Sequence, residues 1–490
     1  MMATEPCDLS ATTARTLIGR RALSPVELME SCIARTLAID PAVNAMPARD
    51  FDRARASAAR AEAAVMAGEA LPPLHGLPIA VKDTHRAAGL PFTQGSVIFR
   101  DFVPEDDERV IAAVREAGSI VLGKTNTPEF AAGANTRNAV YGATGNPFDP
   151  TRSAAGSSGG SAVALACGMA PLATGSDTGG SLRNPAAFCG VVGFRPSPGL
   201  VASAKRGLGW NVLPVDGPMA RNVPDLCLLM GAMASGDARD PLATPVPFAM
   251  PGPVDLSRLR VALTPDFGFA PTERVVARAF AEKTGLIRHV FAVAEDTTPD
   301  CSDADETFAI LRALNFLATH LEKVRTRPND VGPNVHANVA EGLGYTAEDV
   351  SRAMVMQTQM YRRWQDFFTR FDVVLAPSIT ISPRPWSELY PAEIDGQVMK
   401  SYFQWLGLAF PATLVGHPSV SLPVGLDANG LPFGLQVVGR RGGDGAVLAV
   451  AAALEQAFAD DPRTARPVPD LARLRAAPPI ADMPGFIGFG

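Results

Sequence analysis

Two long stretches of the chain carry no charged side chain, and they limit its fold more than any other feature. They cover residues 153–176 and 401–426, and each is long enough to cross a bilayer. The first, however, is rich in glycine and serine, and the second is interrupted by Pro411, Pro418 and Pro423. Neither is therefore predicted to span a membrane. Uncharged sequence of this kind instead indicates a buried, irregular backbone, from which functional sites are often built.

The size and charge of the chain set further limits. At roughly 150 residues per domain, 490 residues allow about three domains or one large α/β domain. Apolar residues make up 47% and charged residues 19%, which allows a sizeable core and excludes global disorder. The net charge of −6 argues against both a nucleic-acid-binding surface and a polybasic membrane anchor.

The cysteines and the N-terminus carry information about the compartment. The six cysteines are scattered, without a C-x-x-C pair, so neither a zinc site nor a disulfide framework is predicted. We expect buried, reduced thiols instead. No basic segment followed by an apolar core opens the sequence, so we expect a cytoplasmic protein.

Helical and strand-like patterns alternate along the chain, which indicates an α/β protein. Ser24, Pro25 and Glu27 have the spacing of a capped helix start. Further helices are predicted by apolar periodicity and composition over residues 51–67, 110–117, 303–370 and 445–458. Short apolar runs predict strands over residues 77–81, 120–122, 372–375, 420–423 and 434–438.

Three motifs compete as the functional site, and the first is a phosphate-binding pattern. Gly118, Gly123, Lys124 and Thr125 match G-x-x-x-x-G-K-[ST]. That loop must follow a strand and precede a helix, because its backbone N–H groups have to turn toward the phosphate. Here the intervening residues are themselves strand-like, and Pro128 follows closely. Nucleotide binding is therefore disfavoured.

The second motif is the G-x-S-x-G pattern of Gly156, Ser158 and Gly160. A nucleophile elbow of this kind needs a buried strand directly before it, and an aspartate and a histidine after it. Residues 149–155 do not resemble a strand. The histidines downstream lie in no informative context; they are His289, His320, His336 and His417. An α/β-hydrolase is therefore disfavoured as well.

The third motif combines one lysine with two serine clusters. Lys82 ends the apolar run 77–81, so we expect it at the end of a buried strand. Desolvation there lowers the pKa of a lysine and can leave its amine neutral, hence a base. The simpler alternative is that Lys82 reaches solvent or pairs with Asp83.

The serines of the third motif lie beside glycines. Ser157 lies in a Gly/Ser loop, and Ser181 directly follows Gly179 and Gly180. Paired glycines let backbone N–H groups crowd a small space, as an oxyanion hole requires. Taken singly, Ser181 is more simply a helix cap and the Gly/Ser loop a linker. The combination with Lys82 is what favours a chemical role.

Together these segments resemble the amidase signature family. The resemblance runs from about residue 8 to about residue 458, and its most specific part is the run 156–193. The other matching segments are residues 76–83, 123–130, 142–147, 418–423 and 430–436. The sequence departs from the family at Ala155, where glycine is usual, and at Arg195 and Ser197, where lysine and threonine are common. None of these changes is expected to touch a catalytic atom.

The resemblance implies a single large α/β domain in which helices cover a central mixed β-sheet. Residues 1–70 would form N-terminal helices that pack on the core or on a partner subunit. Residues 71–460 would form the catalytic domain, with an excursion from the core at about 237–300. Residues 461–490 would form a Pro-rich C-terminal tail.

The resemblance also implies a role for each residue of the third motif. Ser181 would be the nucleophile and Lys82 the base. Ser157, which follows a cis peptide bond in relatives, would relay protons between them. The backbone N–H groups of Ser181 and three neighbours would form the oxyanion hole; the neighbours are Thr178, Gly179 and Gly180. No metal or cofactor would take part.

Three further residues would support this arrangement. Ser158 would form a hydrogen bond near Lys82, and Asp177 and Arg183 would pair to hold the glycine turn. Aromatic residues within 377–405 are expected near the pocket, which favours an aryl or other apolar substrate; they are Trp386, Tyr390, Tyr402, Phe403 and Trp405. Alternatively these aromatic side chains lie in the core or at a homodimer contact.

The predicted function is hydrolysis of a small-molecule carboxylic amide through an acyl-enzyme, and a carbamate would suit the same chemistry. The alternative is the glutaminase subunit of a tRNA-dependent amidotransferase, which has the same fold and triad. That subunit has to hold an amino-acid carboxylate and dock partner proteins. A non-catalytic scaffold is disfavoured, because Lys82, Ser157 and Ser181 are all present.

Overall fold

An eleven-stranded mixed sheet forms the centre of the molecule. The computed structural model describes residues 5–244 and 248–489. The strands of the chain are β1 (Ala48–Arg49), β2 (Pro78–Lys82), β3 (Ile120–Thr125), β4 (Arg137–Asn138), β5 (Gly142–Ala143), β6 (Leu172–Asp177), β7 (Val192–Arg195), β8 (Val215–Ala220), β9 (Arg260–Leu263), β10 (Val293–Asp296), β11 (Val373–Pro377), β12 (Glu393–Ile394), β13 (Gln397–Val398), β14 (Ser419–Leu426) and β15 (Pro432–Val438).

Helices cover this sheet, as expected for the fold class. They are α1 (Ala11–Gly19), α2 (Pro25–Val43), α3 (Phe51–Ala67), α4 (Arg109–Glu116), α5 (Gly159–Ala166), α6 (Arg183–Cys189), α7 (Val223–Met233), α8 (Arg274–Ile287), α9 (Ala304–Thr326), α10 (Pro333–Gly344), α11 (Ala347–Phe367), α12 (Phe410–Leu414), α13 (Asp444–Ala459) and α14 (Leu471–Ala476). The predicted fold class, a central mixed sheet in a helical cover, is confirmed.

The strand order brings distant parts of the chain together. From one edge to the other it is β1-β3-β2-β6-β8-β7-β14-β15-β11-β9-β10. Strands β3, β2 and β6 are parallel neighbours, as are β11, β9 and β10. Those between them pair antiparallel. Carboxyl ends of parallel neighbours meet at one edge of a sheet, and this fact positions the site described below.

Strands β2 and β3 are buried along their whole length, because helices cover both faces of the sheet. Strand β3 was predicted to end at residue 122, but it continues to Thr125. The G-x-x-x-x-G-K-[ST] match therefore ends inside a strand, and its Lys124 pairs with Asp83 at 2.8 Å. This geometry is not that of a phosphate-binding loop, which agrees with the sequence-based conclusion.

The N-terminal helices begin where their caps predict. The Ser24 hydroxyl accepts a hydrogen bond from the backbone N–H of Glu27, whose carboxylate in turn accepts one from Ser24 N–H. This reciprocal pair stabilises the first turn of α2. Helix α3 spans the predicted residues 51–67 and packs against β3 and α2.

Part of the segment expected to leave the core, at about residues 237–300, belongs to the central sheet. Strands β9 and β10 belong to the main sheet, so residues 260–296 extend the core. Three consecutive buried apolar residues of β9 pair with β11 and explain why; they are Val261, Ala262 and Leu263. The uncharged run 153–176 is buried as predicted but largely regular, since it holds α5 and most of β6.

All six cysteines are buried, as predicted, and none forms a disulfide. Across residues 5–244 and 248–489, no helix combines the length and the apolar character that a bilayer crossing requires.

Candidate active site

The carboxyl ends of two parallel strands bring the residues of the third motif together. Strand β2 ends at Lys82 and its neighbour β6 ends at Asp177. Ser157 and Ser158 immediately precede α5, and Ser181 lies two residues before α6. The segments that carry these residues therefore meet at one edge of the sheet, although more than 90 positions separate the first from the last.

The Lys82 amine is surrounded by hydroxyl groups. Its Nζ lies 2.7 Å from Ser157 Oγ, 3.0 Å from Ser158 Oγ and 2.9 Å from Ser176 Oγ. No carboxylate within the described residues forms an ion pair with it, and Lys82 is fully buried. Burial lowers the pKa of Lys82 to about 7, against an opposing effect of Asp216.

Ser176 was missed by the sequence analysis, which treated it only as the end of an uncharged run. It lies two residues after Thr174 on β6, so both side chains lie on the same face of the sheet. Thr174 Oγ1 accepts a hydrogen bond from the backbone N–H of Lys82 at 3.1 Å. The two-residue period of hydroxyls before Asp177 was the signal that could have identified Ser176.

The two serine clusters contact each other directly. The backbone N–H of Ser158 donates to the carbonyl oxygen of Ser181 at 3.2 Å. The peptide bond between Gly156 and Ser157 is cis, as the resemblance implied. Ala155, where the family usually has glycine, has a φ of 55°, a backbone conformation that favours glycine.

Asp177 organises the glycine turn. Its carboxylate accepts hydrogen bonds from the backbone N–H groups of Gly180 (3.0 Å) and Leu182 (3.2 Å). Arg183 binds the same carboxylate through Nε and Nη2, so the expected Asp177–Arg183 pair is present. Gly180 has a φ of 100°, and a Cβ there would lie 2.5 Å from Ala409 Cβ. The position therefore requires glycine.

The same contact revises one part of the predicted oxyanion hole. Because the Gly180 N–H already donates to Asp177, it points into the turn and is engaged there. For Thr178, Gly179 and Ser181, a place in the oxyanion hole stays a prediction.

A second buried arginine holds Asp177, and the sequence analysis underrated it. Arg195 was taken as a harmless departure from the family, but its Nη1 lies 3.2 Å from the Asp177 carboxylate and 2.8 Å from its backbone carbonyl. Burial raises the pKa of Asp177, yet Arg183 and Arg195 outweigh it and hold that pKa well below its usual range. The turn is thus fixed by one carboxylate and two guanidinium groups.

A cavity of about 620 Å³ opens beside these residues. Ser176 and Thr178 line it, and both are half-buried, as is Ser181. One wall is aromatic and consists of Phe92, Phe99, Phe130 and His320. Another is charged and includes Arg86, Glu108, Lys205 and Asp216. The cavity can therefore take a flat apolar group next to Ser176 and Thr178.

The aromatic residues that the sequence placed near the pocket lie elsewhere. None of the five lines this cavity. Trp386 packs with Ala143 and Ile480, and Tyr402 accepts a hydrogen bond from Asn338. Trp405 is buried and donates to the Tyr402 carbonyl. Four of the five are buried, whereas Tyr390 is half-buried and lines a separate small cavity together with Trp405.

The nucleophile-elbow interpretation finds no support. In the described part of the chain, no histidine forms a hydrogen bond with Ser157, Ser158 or Ser181. His417, for example, contacts the Gly439 carbonyl and Gln365. A base for Ser158 of the kind that an elbow needs is therefore missing from this site.

Comparison with known proteins agrees with the site. The family model described as Amidase matches residues 27–448. An acylamidase of Rhodococcus erythropolis is 32% identical over 456 residues, covering 91% of this chain and 95% of the relative. A subunit of the glutamyl-tRNA(Gln) amidotransferase of Picosynechococcus sp. is 33% identical over 469 residues, covering 89% and 95%.

Among solved structures, a bacterial aryl acylamidase of the amidase signature enzymes superimposes with a TM-score of 0.85. It is 27% identical and covers 97% of this chain and 99% of that protein. The whole sheet and its helical cover are therefore shared.

Proposed function

The chain belongs to the amidase signature family of amide-hydrolysing enzymes, and from that premise we propose that it is a stand-alone amidase with Ser181 as its nucleophile. The contact between the Lys82 amine and Ser157 Oγ, at 2.7 Å, carries the proposal. A serine hydroxyl is a poor nucleophile until a positioned base accepts its proton. The buried amine of Lys82, with a pKa of about 7, suits that role.

The reaction begins with two coupled proton transfers. Neutral Lys82 accepts the proton of the Ser157 hydroxyl as Ser157 accepts that of Ser181. The Ser181 oxygen then attacks the amide carbonyl carbon and forms a tetrahedral oxyanion. Ser181 is half-buried whereas Lys82 and Ser157 are fully buried, so the proposed nucleophile is the member of the group that a substrate can reach.

The second half of the reaction returns the proton. The Lys82 ammonium reprotonates Ser157, which protonates the leaving nitrogen as the carbon–nitrogen bond breaks. An amine and an acyl-enzyme on Ser181 result. Water attacks the acyl carbon by the same relay and releases the carboxylic acid and the free serine.

Backbone N–H groups of Thr178, Gly179 and Ser181 are the proposed donors to the oxyanion. The N–H of Gly180 serves another purpose, since it holds the turn through Asp177. Donors fixed in this way before the substrate arrives stabilise the charge that develops in the transition state.

We propose an aryl amide or aryl carbamate as the substrate. The aromatic wall of the cavity supports this choice, because flat rings gain stacking and edge contacts there. The likeness to an acylamidase and to an aryl acylamidase points in the same direction. A carbamate differs from an amide only in the group beside the carbonyl, which the relay does not contact.

A glutaminase subunit of a tRNA-dependent amidotransferase is the second candidate. It is favoured by the 33% identity to the glutamyl-tRNA(Gln) amidotransferase relative. Such a subunit has to bind the carboxylate of glutamine. Two cations of the cavity already have partners, since Lys205 pairs with Glu108 and Arg206 with Asp240. The aromatic wall and these paired cations suit an aryl group better than a free amino acid.

The purified chain, assayed alone, separates the two candidates. We expect hydrolysis of aryl anilides or aryl carbamates and little release of ammonia from glutamine. Turnover of glutamine above that of every anilide would favour the amidotransferase function.

Covalent labelling tests the nucleophile. A fluorophosphonate should modify Ser181, and Ser181→Ala should lose both labelling and turnover. Ser161→Ala is the matched control, because Ser161 is a buried hydroxyl that contacts Thr174 and Thr125 instead of Lys82. Mass spectrometry that found the label on Ser158 would contradict the proposal.

A further inference from the structure

A cluster of charged side chains forms the cavity wall beside Lys82. Asp216 Oδ1 lies 3.0 Å from His85 Nε2, and His85 Nδ1 lies 2.8 Å from Thr174 Oγ1. Lys205 Nζ lies 2.8 Å from Glu108 Oε1 and 3.7 Å from Asp216 Oδ2. Both carboxylate residues are buried, whereas the Lys205 side chain is 34% exposed. The described proton relay uses none of these groups.

Strand β6 joins this cluster to the Lys82 amine. The Thr174 hydroxyl, which contacts His85, also accepts a hydrogen bond from the backbone N–H of Lys82. Ser176, whose hydroxyl contacts the Lys82 amine, pairs directly with Asp216 across β6 and β8. Directly paired residues of antiparallel strands lie about 4.5–5.5 Å apart at Cα. Ser176 therefore links Asp216 to Lys82: it pairs with Asp216 across the strands, and its hydroxyl contacts the Lys82 amine.

Opposite charges consequently act on Lys82 from this wall. Burial has the largest effect on the pKa of Lys82 and lowers it; Asp216 then raises it and Lys205 lowers it. Burial also raises the pKa of Asp216 itself, but Lys205 and His85 hold that pKa well below its usual range. The carboxylate is therefore charged throughout the working pH range.

The remaining charges around Lys82 are engaged with one another. Asp177, at the end of β6, raises the pKa of Lys82 but is bound by Arg183 and Arg195. Asp83, directly after β2, and Lys124, on β3, pair with each other. Of the charges that act on Lys82, Asp216 and Lys205 are thus the two that line the cavity.

We infer that Asp216 and Lys205 are positioning residues that jointly control the protonation of the Lys82 amine. Asp216 favours the ammonium form, and Lys205 favours the neutral amine that accepts a proton from Ser157. His85 and Glu108 hold the two charges in place. The inference rests on the proposed role of Lys82 as the base.

The test compares Asp216→Asn with Lys205→Met. For each variant, kcat/KM and the rate of fluorophosphonate labelling of Ser181 are measured against pH. On the acid side of the pH profile, here called the acid limb, activity falls with an apparent pKa. Removing the Asp216 charge should lower this apparent pKa by about 1. Removing the Lys205 charge should raise it by less, because water screens a partly exposed amine. A site that was merely loosened would lose rate without moving the limb.

Lys323→Met is the matched control. Lys323 lines the same cavity, but its amine donates to the Thr319 carbonyl and it is not among the charges that act on Lys82. The acid limb of the Lys323→Met profile should keep the wild-type apparent pKa, even if KM changes. The double variant of Asp216 and Lys205 should place its acid limb between those of the wild type and Asp216→Asn, because the two shifts cancel only in part.

The inference would be overturned if Asp216→Asn and Lys205→Met shifted the apparent pKa of the acid limb in the same direction, or if the acid limb were the same in all variants. If Asp216→Asn fails to fold, as circular dichroism would reveal, Lys205→Met and Lys205→Gln carry the test through the sign of their shift. A wild-type enzyme without an acid limb near neutral pH would instead contradict Lys82 as the base. Failure of the proposed function is thus distinguishable from failure of this inference.

Discussion

Lys82 and Lys124 lie on neighbouring parallel strands, are equally buried and meet different partners. Both are fully buried, and Lys124 pairs across the strands with Val81, next to Lys82. Lys124 Nζ lies 2.8 Å from Asp83 Oδ1 and donates to the Pro91 carbonyl at 3.0 Å. The Lys82 amine contacts three serine hydroxyls instead.

The comparison separates the effect of burial from the effect of a counter-ion. Burial lowers the pKa of both lysines, but Asp83 opposes that effect at Lys124 by charge and by a hydrogen bond. Hydroxyl groups bring no charge, and the pKa of Lys82 falls to about 7. Desolvation without a carboxylate in contact is what suits Lys82, and not Lys124, to the proposed role of base.

Removing Lys82 should have the largest effect. Lys82→Ala is expected to lower kcat/KM for an anilide by about 10⁴-fold, since the amine serves both as acceptor and as source of the proton. A nitrophenyl ester with the same acyl group should lose less, because its leaving group departs unprotonated. Equal losses for the two substrates would restrict Lys82 to activating the nucleophile.

Removing Lys124 should affect stability instead. Lys124→Met leaves Asp83 buried without its cation, which is expected to lower the free energy of unfolding by about 3–5 kcal/mol. Urea denaturation measures the loss. Adding Asp83→Asn should recover part of it, because the unpaired charge is then gone. A Lys124→Met enzyme as inactive as Lys82→Ala, yet stably folded, would break the comparison.

The acid limb of the wild-type pH profile should fall near pH 7. The proposed base works when neutral, so kcat/KM should drop about tenfold per pH unit below 7 and level off above about pH 8. A stopped assay over pH 5–9, with circular dichroism to check the fold, provides the measurement. Activity that declines from pH 6 to pH 9 would count against Lys82 as the base.

Removing one hydroxyl from Lys82 should have the smallest effect. Ser176→Ala leaves the amine two of its three partners, so kcat is expected to fall by roughly tenfold with KM little changed. Ser161→Ala removes a buried hydroxyl that does not contact Lys82 and should change kcat by less. Similar losses in the two variants would mean that Ser176 contributes to packing alone.

The site could be anticipated from sequence where its features are local in the chain. The short apolar run before Lys82 predicted a buried strand end, and Ser24 with Glu27 predicted a helix start. The glycines before Ser181 indicated a tight turn, which Gly180 indeed requires. Capping, turns and strand burial depend on a few consecutive residues, so the sequence alone determines them.

Contacts between distant segments were decided by the tertiary structure. The pairing of Ser176 with Asp216, and the approach of Arg195 to Asp177, depend on the order β6-β8-β7 within the sheet, which joins segments far apart in the chain. The sequence determined that a buried lysine and two serines are available. Only the packed sheet decided that Lys82 contacts hydroxyls while Asp83 contacts Lys124, because the partners that a side chain meets depend on which segments lie beside it.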